Sequence, residues 1–444
     1  MSELLAGVAE VDITPPIGHR MAGHFYEVES SGVRDPLKAK AIVLRNGEQT
    51  FALAFADVVG ISTQVSEEVR WRFKDIGSVP VTNTMVCATH SHTGPLFDDV
   101  RRDYFHNKAL DEQGIDASEE IYYPDFLTDQ LTLALGTAND NLEPASLSLV
   151  REDRFGISYN RRYHMSDGTV KFNPEQQNPN IFKAAGPVDP EIVSLMIEAT
   201  GSHKKLGALT VFACHPDTLG GTLYSADYPF FIETELQAQY GPEFVSAFAV
   251  GACGDINHID VTKKSERKGE RVAQRLGTAI GQSVLSSQPE AMPIEASFAA
   301  KNRQFNAHLQ GFTAEQAAKA RADIARLSEH NGSFDELVQA VKILDLEQRG
   351  RKNQLEVQVF RLSEDTALVG LPGEIFVDLG LDIKDESPFD NTIVITLAND
   401  RLGYIPTLEA FKEGSYEVEN SRVVPGAGER LVDTALDLLR GLAS

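Results

Sequence analysis

KAKAIVLRNGEQTFALAFADVVG, residues 38–60, holds two apolar runs separated by the polar break Gly47-Glu48-Gln49. The runs 38–46 and 51–60 have the length of strands, and the break suits a turn, so the stretch reads as a β-hairpin. STQVSEEVRWRFKDIG (62–77) then reads as a helix closed by Gly77, and VTNTMVCATH (81–90) as a returning strand. The alternation continues: a helix over 122–140, strands over 192–199 and 206–215, a helix over 227–241, a strand over 244–251 and a helix over 268–287. Strands alternating with helices predict an α/β fold. The hairpin-like pairs predict mixed β-sheets layered with helices rather than a purely parallel sheet.

From about 312 to 348 the pattern changes to a charged helical stretch, FTAEQAAKARADIARLSEHNGSFDELVQAVKIL, with Thr313 and Gln316 spaced as a capping box. It reads as a helical hairpin inserted into the α/β body. NQLEVQVFRL, TALVGL and NTIVITL return as strands, and GERLVDTALDLLRGL as a terminal helix. No repeat, low-complexity tract or Pro- or Ser-rich linker divides residues 1–444, so one domain is expected.

The net charge is −24, from 41 basic and 65 acidic side chains. That balance argues against nucleic acid and anionic membrane surfaces as partners, because both are bound through basic patches. No apolar run approaches the ~18 residues of a membrane span, so no stable membrane insertion is expected. The start lacks a basic segment followed by an apolar core, which predicts a cytoplasmic protein without a signal peptide. Three cysteines, Cys87, Cys214 and Cys253, lack C-x-x-C spacing. They read as buried small residues in a reducing compartment rather than as a zinc knuckle. The oligomeric state is not encoded in any of these features.

Four strands run into residues capable of chemistry. VCATHSHTGP (86–95) places His90 and His92 two apart at a strand end, where side chains i and i+2 share a face. The pair fits metal ligands, a catalytic base with its neighbour, or two ordinary histidines. LTVFACHPDT ends a second strand at His215-Pro216, and TALVGLPGE ends a third at Glu374. Ligand sites in α/β sheets gather at strand ends; His215 taken alone reads first as a capped core histidine, whereas the strand–Pro–Gly elbow before Glu374 weakens its reading as an N-terminal helix charge. FVSAFAVGACGDIN ends a fourth strand in a Gly-rich turn containing Gly251, Gly254 and Asp255, which reads as a tight turn or a close approach to a ligand.

Taken together, GVAEVDITPP (7–16), ATHSHTGP (88–95), YNRR (159–162), FACHP (212–216), YSADYP (224–229), GACGDIN (251–257), LPGE (371–374) and LGYIPT…SYE (402–417) resemble the neutral/alkaline non-lysosomal ceramidase family. The motifs occur in the family's order along nearly the whole chain. The resemblance implies a catalytic domain that is a zinc-dependent amidase, hydrolysing the N-acyl bond of ceramide. It implies His90, His215, Glu374 and Tyr404 as ligands of Zn2+, and His92, Arg161 and Tyr416 as catalytic residues beside the metal. Asp227 and Asp57 read either as residues behind the ligands or as turn caps. A free phenol has a pKa of about 10, so Tyr404 as a ligand requires a cation to depress it.

The chain also departs from the family pattern. It ends after the terminal helix, so the reading is of a catalytic domain without the C-terminal immunoglobulin-like domain of long ceramidases. Gly251 stands where those enzymes carry a serine, which favours an activated water over a serine nucleophile. After His92-Thr93-Gly94-Pro95, the stretch LFDDVRRDYFHNKALDEQGIDASEE (96–120) is strongly charged and reads as a polar loop. A charged rim predicts a small-molecule amide or lipid-like substrate smaller and more polar than ceramide, because burying ceramide's two chains needs an apolar groove. An ester, lactone or cyclic amide is the alternative substrate, and a non-catalytic binding protein the alternative function.

Overall fold

The computed structural model describes residues 3–327, 333–350 and 354–443. The hairpin read from residues 38–60 forms: Lys38–Asn46 pairs antiparallel with Gln49–Ala56, Ala41 opposite Ala54. It lies in a nine-stranded sheet whose path runs Val245–Val250, Lys205–Phe212, Glu191–Ala199, Glu143–Asp153, Leu4–Asp12, Lys38–Asn46, Gln49–Ala56, Thr84–Ala88, with Met292–Ile294 pairing with Glu143–Asp153 off this path as the ninth. The two outermost pairs are parallel and the interior is antiparallel. A second sheet runs Ala299–Asn306, Gln354–Arg361, Thr366–Gly370, Asn391–Ile395.

The architecture has four layers, helix, sheet, sheet, helix. Along Gln49–Ala56 the small residues Ala52, Ala54 and Ala56 face the helices Thr63–Gly77 and Tyr123–Asp140, while Phe51, Leu53 and Phe55 face the second sheet. This explains the continuous apolar run, since both faces of the strand are buried. Phe51 stacks between Phe298 and Phe360 at ring separations of 4.7 and 4.4 Å and is fully buried at the centre of the sheet-to-sheet contact. The outer face of the second sheet carries Val377–Glu386 and the terminal helix Ala427–Ala443.

Residues 396–399 form a seam between the layers. Thr396 N donates to Val250 O at 2.9 Å, and Leu397 N to Gly373 O at 3.1 Å. Asn399 N donates to Val86 O at 2.7 Å, while its side-chain oxygen accepts from Val86 N at 2.9 Å. The seam therefore ties together three of the four strand ends that carry candidate residues.

Two readings change. The stretch 96–120 is not a loop: it contains the helix Val100–Gln113, capped by Asp99, whose side chain accepts from Arg101 N at 2.8 Å. The helix buries only Phe105 and so has no apolar stripe to betray it. The first helix is closed by Ser78 in the left-handed conformation rather than by Gly77. The helical hairpin is present as Ala314–Ile324 and Phe334–Arg349, both with reciprocal capping boxes. Residues 328–332 of that segment, and Asn353 of the expected strand after it, lie outside the described residues. Among the described residues no helix is long and apolar enough to cross a membrane.

Phe51→Ala removes the middle ring of the stack from a site with no solvent access. A loss of about 3–5 kcal/mol in urea unfolding is expected; a loss below about 1 kcal/mol would contradict the sheet-on-sheet core.

Candidate active site

His90 leaves the Thr84–Ala88 strand with φ of 72°. This left-handed geometry is unusual for histidine and is held by surrounding structure. Its main-chain N donates to Val58 O at 3.0 Å, and its Nδ1 lies 2.6 Å from Val59 O. His215 leaves the Lys205–Phe212 strand, and its Nδ1 lies 2.7 Å from Cys253 O and 3.1 Å from Ile256 O. A carbonyl oxygen only accepts, so both Nδ1 atoms carry a proton, and Nε2 is the ring atom each histidine turns to the centre. Both Nε2 atoms meet at one carboxylate: Glu374 Oε2 is 3.1 Å from His215 Nε2 and 3.4 Å from His90 Nε2.

Glu374 is placed by close backbone packing. It begins the two-residue strand Glu374–Ile375, parallel to Tyr404–Ile405. Gly254 N donates to Ile375 O at 2.7 Å, and a Cβ on Gly254 would lie 2.6 Å from Glu374 O. Only glycine lets the 251–257 turn approach so closely. Gly251 instead lies over Ala213, where an added Cβ would sit 3.3 Å from the Ala213 backbone.

The other candidates surround this centre. His92 Nε2 is 3.4 Å from His90 Nε2, and potential ligand atoms of His90, His92 and His215 all lie within 4.8 Å of one another. No carbonyl bonds to the His92 ring nitrogens comparable to those of His90 and His215 occur among the described residues. The Tyr404 ring lies 6.3 Å from that of His215 and 5.6 Å from that of Tyr416. Arg161 stands over the Tyr404 and Phe172 rings at 5.4 and 5.1 Å. Its Nε donates to Glu417 Oε1 at 2.8 Å and its Nη2 to Gly254 O at 2.7 Å.

The electrostatics suit a cation. Burial pushes His215 down to about 4, with Arg161 adding to the effect, so its imidazole is neutral at pH 7. Burial alone would raise Glu374, but His90 and His215 hold it well below the usual carboxylate range. Burial and the Glu374 charge push the Tyr404 phenol well above its ordinary value, so a phenolate there requires a neighbouring cation. Two imidazoles that turn Nε2 toward one ionised carboxylate form a donor set that fits a divalent metal. A second cluster, His106, Asp116 and Glu119, is already paired with Arg20 and Arg102, and reads as an ion-pair network.

Over the centre lies a cavity of about 160 Å3 whose lining includes His90, His92, Glu374, Tyr404, Tyr416 and four arginines. The helical hairpin forms part of its wall through Val341, Asp345 and Arg349, and Phe334 packs on Tyr416 and Phe25 at 5.5 and 5.2 Å. Asp57 and Asp227 stand outside this wall as turn braces. Asp57 accepts from Lys38 N at 2.9 Å, and Asp227 from Leu219 N at 2.9 Å and Tyr228 N at 2.7 Å. Sequence reasoning overlooked Glu417, fully buried between Arg161 and Arg162, although the adjacent motif Tyr416-Glu417 contained it.

A family model described as neutral/alkaline non-lysosomal ceramidase, N-terminal, matches residues 4–330. The chain belongs to this family. A neutral ceramidase of Mycobacterium tuberculosis is 23% identical over 300 residues, a match covering 61% of this chain and 43% of that relative, so less than half the relative's length is represented. Among solved structures, the neutral ceramidase from Pseudomonas aeruginosa superposes with a TM-score of 0.75 at 17% identity, covering 100% of this chain and 75% of that one. A ceramidase complexed with C2 gives a TM-score of 0.73, also at 17% identity. The mixed four-layer fold is thus that of the neutral ceramidases.

Gly254→Ala forces a methyl group against the main chain of Glu374. Destabilisation of about 1–3 kcal/mol is expected from such overpacking, together with a crystallographic shift of Glu374 away from His215. An unchanged urea midpoint and an unmoved Glu374 would show that the close approach is not constrained.

Proposed function

We propose that the protein is a zinc-dependent hydrolase that cleaves an N-acyl amide bond. The observation that carries this reading is the pair of imidazoles, each held through Nδ1 by a main-chain carbonyl and each presenting Nε2 to Glu374. His90, His215, Glu374 and Tyr404 would hold the metal. Bound there, zinc supplies a Lewis acid and lowers the pKa of water to about 7.

The remaining residues have distinct tasks. His92, adjacent to the ligands, takes a proton from the attacking water and returns it to the leaving nitrogen. Water adds to the acyl carbon, the C–N bond breaks, and a carboxylate and an amine are released. Arg161 donates to the charge developing on the acyl oxygen, its guanidinium kept in place by Glu417 and the Gly254 carbonyl. Tyr416, whose hydroxyl accepts from Asn420 Nδ2 at 3.3 Å, is a second donor to the same oxygen. With Gly251 replacing a serine, the chain offers no hydroxyl nucleophile at that turn.

The substrate is smaller and more polar than ceramide. The cavity of about 160 Å3 is below the ~300–1,000 Å3 typical of pockets that enclose drug-sized ligands, and arginines line it.

Metal analysis and activity together test the assignment. The purified protein should hold about one zinc per chain, as the donor set of a single catalytic site requires. Chelation should abolish N-acyl amide hydrolysis and zinc should restore it. His90→Ala and Glu374→Ala should lose the metal, whereas His92→Ala should keep it while hydrolysis falls by about 10²–10⁴-fold. Full activity in metal-free protein would overturn the proposal.

A further inference from the structure

The chain carries 41 basic and 65 acidic side chains, yet the cavity over His90 is lined by Arg101, Arg349, Arg401 and Arg422. They form two ladders, each with one carboxylate between two guanidinium groups. Asp99 accepts from Arg101 Nε and Nη2, both at 2.8 Å, and from Arg401 Nη1 at 3.4 Å. Asp345 accepts from Arg349 Nε at 3.2 Å and from Arg422 Nε at 2.9 Å. Besides Glu374, which faces the histidines, Asp99 and Asp345 are the acids of the lining. Asp400 and Asp98 approach Arg349 and Arg401 from beyond the lining at 3.6 and 3.9 Å, outside hydrogen-bond range. Each ladder thus sets two guanidinium groups against one carboxylate of the lining, with Asp400 and Asp98 pairing from behind it.

One donor of this network is left unpaired. Arg401 Nε is buried and has no hydrogen-bond partner among the described residues. A buried donor left unpaired is unfavourable, and one on a cation more so. The guanidinium fork matches a carboxylate or phosphate in a bidentate way that an ammonium does not.

We propose that the substrate hydrolysed here is an N-acyl compound bearing an anionic group, such as an N-acylated amino acid, and that Arg401, with Arg349 beside it, binds that group. Resting on the hydrolase reading above, this names its substrate class. A ceramide has no anion to offer, and its two hydrocarbon chains would have to pass a wall of guanidinium groups. The binding residues come from two places: Arg401 follows the seam and bonds to Asp99 of the stretch 96–120, and Arg349 comes from the helical hairpin that also supplies Asp345. Specificity is then set by the rim, while the histidines and Glu374 serve the bond to be cleaved.

A matched pair of ligands separates the two claims. N-Dodecanoylglycine and N-dodecanoylethanolamine share the acyl chain and the amide and differ in the carboxylate. Calorimetric binding to metal-free protein at low salt should favour the glycine conjugate by at least tenfold. Arg401→Gln, judged folded by an unchanged circular dichroism spectrum, should lower that preference at least tenfold, and about 0.5 M NaCl should shrink it in the wild type. In the zinc-loaded enzyme the same preference should enter kcat/KM through KM. A binding preference without hydrolysis would sink the hydrolase reading and leave the anion site standing. Hydrolysis of both amides with equal affinity, a preference unmoved in Arg401→Gln, or binding of neither ligand would overturn the anion site.

Discussion

Two hydrogen bonds to main-chain carbonyls set what this protein can do. Val59 O holds His90 Nδ1 and Cys253 O holds His215 Nδ1, at 2.6 and 2.7 Å. Each bond fixes a tautomer and a ring orientation together, and this preorganisation is what a metal centre needs from the residues behind its ligands. Both carbonyls lie in segments that follow buried strands, so the positions of the imidazoles are inherited from the sheet. The left-handed backbone at His90 is compensated by the same surroundings, through its main-chain bond to Val58 O.

Glu374 reaches the histidines from a different layer, and its arrival depends on the seam at 396–399. That seam bonds at once to Val86, Val250 and Gly373, joining the ends of strands from both sheets. A four-layer architecture thereby concentrates its irregular backbone at one place. Main-chain groups, rather than side chains, do most of this joining, which leaves the converging side chains free for chemistry.

This division also explains what could be read from the residues. Strands buried on both faces appear as unbroken apolar runs, so 38–60 and 206–215 announced the class. The order of the strands did not show, because pairing is made by main-chain groups common to every residue. The seam, Thr396-Leu397-Ala398-Asn399, was invisible for the same reason. Of the site, the seven motif residues His90, His92, Arg161, His215, Glu374, Tyr404 and Tyr416 all lie in or around one centre. Individually, a histidine at a strand end had an ordinary explanation. The helix Val100–Gln113 was hidden because it buries one large side chain, and the arginine ladders because their members are distant in sequence. Arg349 and Arg401 meet only through the fold, where Arg349 Nη2 donates to Arg401 O at 3.1 Å.

The family and the rim carry different information. Motif residues His90, His92, Glu374, Tyr404 and Tyr416 line the cavity, whereas Asp99 and Arg101 of the stretch 96–120 and Val341 and Asp345 of the helical hairpin form its rim. The central claim concerns the centre: His90, His215 and Glu374 are the ligands of one metal ion. Anomalous diffraction across the zinc absorption edge from crystals of the purified protein tests it most directly. The account predicts a single strong peak within bonding distance of both Nε2 atoms and the Glu374 carboxylate, at the ~2.0–2.2 Å of zinc to nitrogen or oxygen. A peak elsewhere, or zinc-soaked crystals with no peak between these three residues, would contradict it.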